Sequence, residues 1–233
     1  LWGKILRSPL PHARIVNVDA SKAQKVRGVK AVITGQDVST KLTGRTLKDL
    51  AVVARDRVRF VGDKVAAVAA IDRDSAEEAL SLIDVEYEEL PAIFDPLEAI
   101  KSNAILLHPD YASYTTPSAS RAPDLRNIQS VIRAGKGDLD QGFRESDKVF
   151  EHTFRTQQVL HLPLEPYVSI GEPTDTGLTI HTASQSPSFV RIEIARLLGW
   201  PENKVRVKVP YLGGGFGGKL YIKLEALVAA LAL

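Results

Sequence analysis

Val205-Arg206-Val207-Lys208-Val209 leads, after Pro210-Tyr211-Leu212, into Gly213-Gly214-Gly215-Phe216-Gly217-Gly218-Lys219. Alternating apolar and basic residues over 205–209 predict a strand, and the apolar run within 220–233 predicts a helix. Five glycines in seven residues exceed what a turn requires. Lacking a Cβ, such a loop can set its backbone N–H groups against a ligand that any side chain would push away. A helix beginning just beyond it would add unpaired N–H groups and the positive end of its dipole. The expected guest is an anion or an oxygen-rich cofactor.

Two familiar patterns fit these letters and neither survives its context. A phosphate-binding loop needs Ser or Thr after the lysine to hold magnesium, and that position is Leu220. A dinucleotide fold wants its glycines in an early strand–helix–strand unit, with an acidic residue about 20 positions later. Gly213-x-Gly215-x-x-Gly218 instead sits near the last residue given, Leu233.

With 44% hydrophobic and 25% charged residues among 233, the chain has ordinary globular composition. A formal charge of +2, with both signs interspersed, leaves no basic stripe for nucleic acid. No run approaches the roughly 18 apolar residues of a membrane-spanning helix. Without cysteine, the chain can supply no thiolate nucleophile, disulfide or cysteine-ligated iron–sulfur cluster. It also lacks methionine, so Leu1 is expected to be internal to a longer or processed protein.

Working outward from the loop, Ser186 with Pro187 opens a helix that Gly199 and Pro201 close. A strand is expected over 149–156. Toward the first residues, strands are expected around Ile5-Leu6, at 15–18 and at 29–34, with Ser21-x-x-Gln24 capping a short helix that ends near Gly28. Residues 58–61 and 64–70 read as two strands joined by a tight turn at Gly62-Asp63, the second buried on both faces. Asp74-x-x-Glu77 has capping spacing for a helix whose Ala76, Ala79, Leu80 and Ile83 share a face. Val85 and Tyr87 alternate with acids in a half-buried strand ending at Pro91. Residues around Tyr111 and Pro117 show no apolar period. The organisation expected is therefore an α/β (α+β) chain with a domain over 1–100, a linker over 101–135 and a second unit over 136–233.

These landmarks together resemble the molybdopterin-binding large subunit of the xanthine dehydrogenase/aldehyde oxidase family of molybdenum hydroxylases. Gly3-Lys4-Ile5-Leu6-Arg7-Ser8-Pro9 through His12-Ala13-Arg14-Ile15, residues 58–66 and Val85-Glu86-Tyr87-Glu88-Glu89-Leu90-Pro91 are similar to its a/b hammerhead domain. Gly137-Asp138, His161-x-x-x-Glu165-Pro166, Ser184-Gln185 and Gly213 to Lys219 follow the order and spacing of the first part of its molybdenum-cofactor domain.

The resemblance implies that Gln185 hydrogen-bonds an oxygen ligand of molybdenum and that Gly215-Phe216-Gly217 lies against the metal centre. Gln185 and Phe216 are thus the catalytic candidates, with Gly214, Gly215, Gly217 and Gly218 as further cofactor contacts and no direct protein ligand to the metal. Physically, an amide donates to an oxo group without adding charge, and loop N–H groups stabilise negative charge. His161 and Glu165 are expected to support the site from behind, although four-residue spacing equally fits two polar groups on one helical face. Lys219 would neutralise pterin phosphate or stand in solvent, and His12 is expected to be structural.

By the same resemblance the cofactor is molybdenum-molybdopterin, with a dinucleotide form open. The implied reaction is oxygen insertion from water into a C–H bond, or its reductive counterpart, on an aromatic, heteroaromatic or aldehyde substrate in the cytoplasm. Leu220 replaces the glutamate of xanthine-specific members, which disfavours a purine, and the cysteine pattern of copper-containing carbon monoxide dehydrogenases is absent. The family's catalytic glutamate would come from the remaining portion of the large subunit, so these 233 residues alone are expected to be inactive. Electrons would pass to an iron–sulfur small subunit and an FAD-binding medium subunit. A non-catalytic module that docks such subunits is the alternative.

Overall fold

The computed structural model describes residues 1–44, 47–114 and 127–233. Most of the Tyr111 to Ser120 stretch expected to be a linker lies outside them.

Two three-stranded antiparallel sheets form the first half. Strand β1 (Trp2–Arg7) runs into β2 (Ala13–Asp19), and a single 3-10 turn at Ala23–Lys25 leads to β3 (Val29–Thr34). The expected side-chain cap of that turn is not made. Strands β4 (Arg57–Val58) and β5 (Lys64–Ala70) follow, then helix α1 (Arg73–Ser81) and β6 (Asp84–Glu89). One sheet has the order β1-β5-β3 and the other β4-β2-β6.

The expected hairpin of residues 58–70 is therefore not one. The Gly62 turn passes the chain from one sheet to the other, and Ser8 pins it: Gly62 N–H donates to the Ser8 carbonyl and Ser8 N–H to the Asp63 carbonyl, each at 2.8 Å. Gly62 holds φ +95°, which a side chain would resist. β5 is central in its sheet and α1 covers one face, which explains its run of small residues. Ala66, Val68 and Ala70 pack against Ala76 and Ala79. The α1 cap is Asp72, two residues before the expected Asp74, because its carboxylate reaches the Ser75 N–H at 2.7 Å.

Short helices α2 (Pro96–Ala99) and α3 (Leu139–Glu145) flank the stretch outside the described residues. No strand forms at 149–156. Those residues are exposed and have no ladder partner among the described residues, and a lone extended segment gains neither ladder hydrogen bonds nor a packed face. A third sheet, β7-β8-β9, combines an antiparallel pair, β7 (Ser169–Thr174) with β8 (Gly177–Thr182), and a parallel pair, β8 with β9 (Val205–Lys208). Helix α4 (Pro187–Leu198) makes the parallel crossover and ends on Gly199 at φ +70°.

The final helix α5 (Glu225–Ala232) starts later than the apolar run suggests. Lys219 and Ile222 turn inward and are buried, and that path is incompatible with a helix directly after the loop. Its dipole does not serve the glycine loop, since the Glu225 carboxylate already accepts the Lys223 and Leu224 N–H groups. One core joins the two halves: Val52, Val53 and Ala67 pack in the same cluster as Leu178, Ile194, Val205, Ile222 and Leu227.

Candidate functional site

Two clamps hold the glycine loop. In the first, one carboxylate oxygen of Glu165 accepts the Gly213 N–H at 2.9 Å and the Lys219 ammonium at 2.6 Å, while Lys219 also donates to the Glu165 carbonyl at 2.9 Å. Lys219 is 1% exposed. It is neither solvated nor aimed at a phosphate, as expected from its position, but serves as an internal tie between the loop's two ends. The Lys219 hydrogen bond, and then the Gly213 N–H, hold the Glu165 carboxyl below its ordinary range. The ring of Tyr167 lies 5.9 Å from the ammonium and adds a cation–π contact.

The second clamp is Gln185. Its Oε1 accepts the N–H of Gly217 at 3.1 Å and of Lys219 at 3.2 Å, and its backbone N–H donates to the Lys219 carbonyl at 2.9 Å. Only an oxygen can accept two N–H groups, so the carboxamide is oriented with its nitrogen away from the loop. That Nε2 has no acceptor among the described residues, and Gln185 is exposed.

Between the clamps, Gly218 N–H closes on the Gly215 carbonyl at 2.7 Å. A Cβ on Gly215 would fall within the Gln185 carboxamide, so only glycine permits this approach. The N–H groups of Gly214, Gly215 and Phe216 make no hydrogen bond among the described residues. Three consecutive free donors thus stand beside a free amide nitrogen. Phe216 is 71% exposed and holds φ +50°. It and Leu162, at +39°, are the two non-glycine residues with positive φ among the described residues, and both border this site.

His161 and Glu165 are brought to the loop, but not by a helix. The segment is irregular, which leaves Glu165 clamped beneath the loop and places His161 over its end, with Cγ 3.0 Å from where a Gly218 Cβ would stand. All the residues expected at the site therefore converge. Sequence reasoning passed over Tyr167, whose hydroxyl lies 2.7 Å from the same Cβ position. An aromatic two residues after Glu165 was the available signal. His12 is buried and bonded through Nδ1 to the Pro91 carbonyl at 2.6 Å, well within the first half. Among the described residues, no group of three or more His, Cys, Asp or Glu side chains could hold a metal directly.

Comparison with known proteins gives this geometry a context. Residues 1–91 match the a/b hammerhead domain of aldehyde oxidase and xanthine dehydrogenase, and residues 123–233 match the molybdopterin cofactor-binding domain. The chain belongs to the xanthine dehydrogenase/aldehyde oxidase family. It is 39% identical to a probable xanthine dehydrogenase subunit of Bacillus subtilis, over 100% of this chain and 30% of that protein. It is 36% identical to the nicotinate dehydrogenase large molybdopterin subunit of Eubacterium barkeri, over 99% of this chain and 51% of that one. The aldehyde oxidoreductase from Desulfovibrio gigas superposes with a TM-score of 0.82 at 27% identity, over 99% of this chain and 25% of that chain.

The site fits a molybdopterin of this family on its own chemistry. Free N–H donors and an uncharged amide, with no side-chain ligand set among the described residues, suit a group that brings its own metal ligands and presents oxygens to the protein. The cofactor is molybdenum-molybdopterin, and the fold is the hammerhead domain followed by the start of the cofactor domain.

Proposed function

We propose that this chain forms one wall of the active site of a molybdenum hydroxylase acting on an aromatic, heteroaromatic or aldehyde substrate. The observation that carries it is the Gln185 carboxamide, locked by two loop N–H groups so that its Nε2 is the free donor beside Gly214, Gly215 and Phe216. The bound cofactor supplies oxygen transfer from water and takes up two electrons. Gln185 would donate to an oxygen of that cofactor, and the three loop N–H groups would receive oxygens that carry negative charge. Phe216 would cover the adjoining face and exclude water from it. Glu165 and Lys219 hold both ends of the loop, so these donors are in place before the cofactor arrives.

The reading extends to the rest of the enzyme. The chain has no cysteine, so iron–sulfur clusters would reside on partner chains or on other domains, and by the family resemblance FAD would as well. The division into a hammerhead domain over 1–100, a linker over 101–135 and a cofactor-domain portion over 136–233 belongs to the same proposal, as does a cytoplasmic location. Among the described residues, no helix is long and apolar enough to cross a membrane.

In the complete enzyme, Gln185→Ala is expected to lower turnover about 100-fold, the scale of one lost preorganised donor, with molybdenum content unchanged. Unchanged turnover would transfer support to the docking-module alternative, in which the loop only packs.

A further inference from the structure

A cavity of about 560 Å³ lies where the two halves meet, and its wall combines Arg7, Lys64 and Lys223 with Phe60, Tyr167 and Tyr221. The three cations come from the end of β1, the start of β5 and the stretch before α5. None forms an ion pair among the described residues.

Their hydrogen bonds are few. Arg7 uses one guanidinium nitrogen on the Gly62 carbonyl at 2.8 Å, and Lys64 makes a single long bond of 3.4 Å to the Lys223 carbonyl. Burial pushes the Lys64 pKa down; Asp63 opposes the shift, while Arg7 and Lys223 add to it. Two carboxylates share the wall. Asp63 accepts the backbone N–H groups of Arg59 and Lys64, and burial pushes the pKa of both Asp63 and Asp49 up, away from the charged form. On this wall the three cations outnumber the two carboxylates, Asp49 and Asp63, next to aromatic faces, and a carboxylate attached to a ring would relieve the repulsion among them.

We propose that this cavity binds a small aromatic carboxylate, with the aromatic side chains receiving the ring and Arg7, Lys64 and Lys223 the carboxylate. Tyr167 belongs both to this wall and to the glycine-loop site, where it meets Lys219 and Gly218. The two sites are neighbours, and the occupant is a substrate of the molybdenum centre; that last step alone rests on the preceding reading, whereas the binding does not.

The test is titration of the complete enzyme with benzoate and with benzamide, its uncharged analogue, followed by calorimetry. Benzoate is expected to bind one to one, and benzamide about tenfold or more weakly, the scale of one charge-assisted hydrogen bond. Lys64→Gln and Lys223→Gln should each weaken benzoate about tenfold and leave benzamide unchanged. Lys223 is exposed, so its variant keeps the fold even where the half-buried Lys64 variant does not. No binding, equal affinity for the two ligands, or unchanged benzoate affinity in folded Lys223→Gln would overturn the site. Benzoate binding that persists while the Gln185→Ala expectation fails would uphold the site and remove only the name substrate.

Discussion

Phe216 shows how a single residue can carry the cost of a site. Its left-handed backbone is disfavoured for any residue with a Cβ by about 1 kcal/mol, and at 71% exposure its ring recovers little by burial. Phe216→Gly is therefore expected to stabilise the chain by about 1 kcal/mol, read as a raised urea midpoint with an unchanged slope. Gly215 carries the opposite constraint. Gly215→Ala would displace the Gln185 carboxamide from Gly217 and Lys219, and in the complete enzyme it should reproduce the turnover loss of Gln185→Ala. The Lys219–Glu165 tie adds a third expectation. Glu165→Ala strands an enclosed ammonium and should lower the melting temperature, and Lys219→Met added to it should restore much of the loss. The glycines were legible in the sequence because a residue without a Cβ answers a local backbone need, whereas Gln185 was placed beside them only by the family resemblance. Lys219 was not, since nothing local distinguishes a solvated lysine from one enclosed by a segment 54 positions away.

Among the elements, α4 carries a buried polar tie between the halves. Its buried Glu193 accepts from Thr43 at 2.9 Å and from Lys48 at 2.6 Å, and also from Arg196 on the same helix. Burial acts to raise the Glu193 pKa, but the hydrogen bonds from Arg196, Lys48 and Thr43 outweigh it and leave the carboxyl below its ordinary 4.5. A group whose folded pKa is depressed stabilises fully above its unfolded value, and the contribution is lost as pH falls through the folded value. Stability should thus decline as pH drops below 4.5, and Glu193→Gln should flatten that part of the curve. Unfolding free energy measured from about pH 6 to about pH 3 checks it. The strands of the first half were legible because alternation and β-branching are local signals. The start of α5 was not, because an inward turn at Lys219 and Ile222 overrides the helical pattern of residues 220–224.

Over the whole molecule, the shared core makes the two halves one cooperative unit. Trp2 lies in β1 and Trp200 follows α4, so single-tryptophan variants report on the halves separately. Their unfolding transitions are expected to coincide. Leu227→Ala should cost about 3 kcal/mol and shift both probes together, because Leu227 packs in the cluster that contains Val52, Val53 and Ala67. Transitions that separate would count against this coupling. The residues alone determined the glycine loop, most strands and the resemblance to a molybdopterin-binding large subunit, and the amide partner followed from that resemblance. The loop, the strands and the motifs that carry the resemblance rest on periodicity, on spacing or on a conformation that only glycine adopts readily. Tertiary structure alone decided that Lys219 is an internal tie, that the Gln185 nitrogen rather than its oxygen is free, and that three cations converge on an aromatic cavity between the halves. Burial and hydrogen-bond partners depend on segments distant in the chain, and a linear pattern does not encode which of them meet.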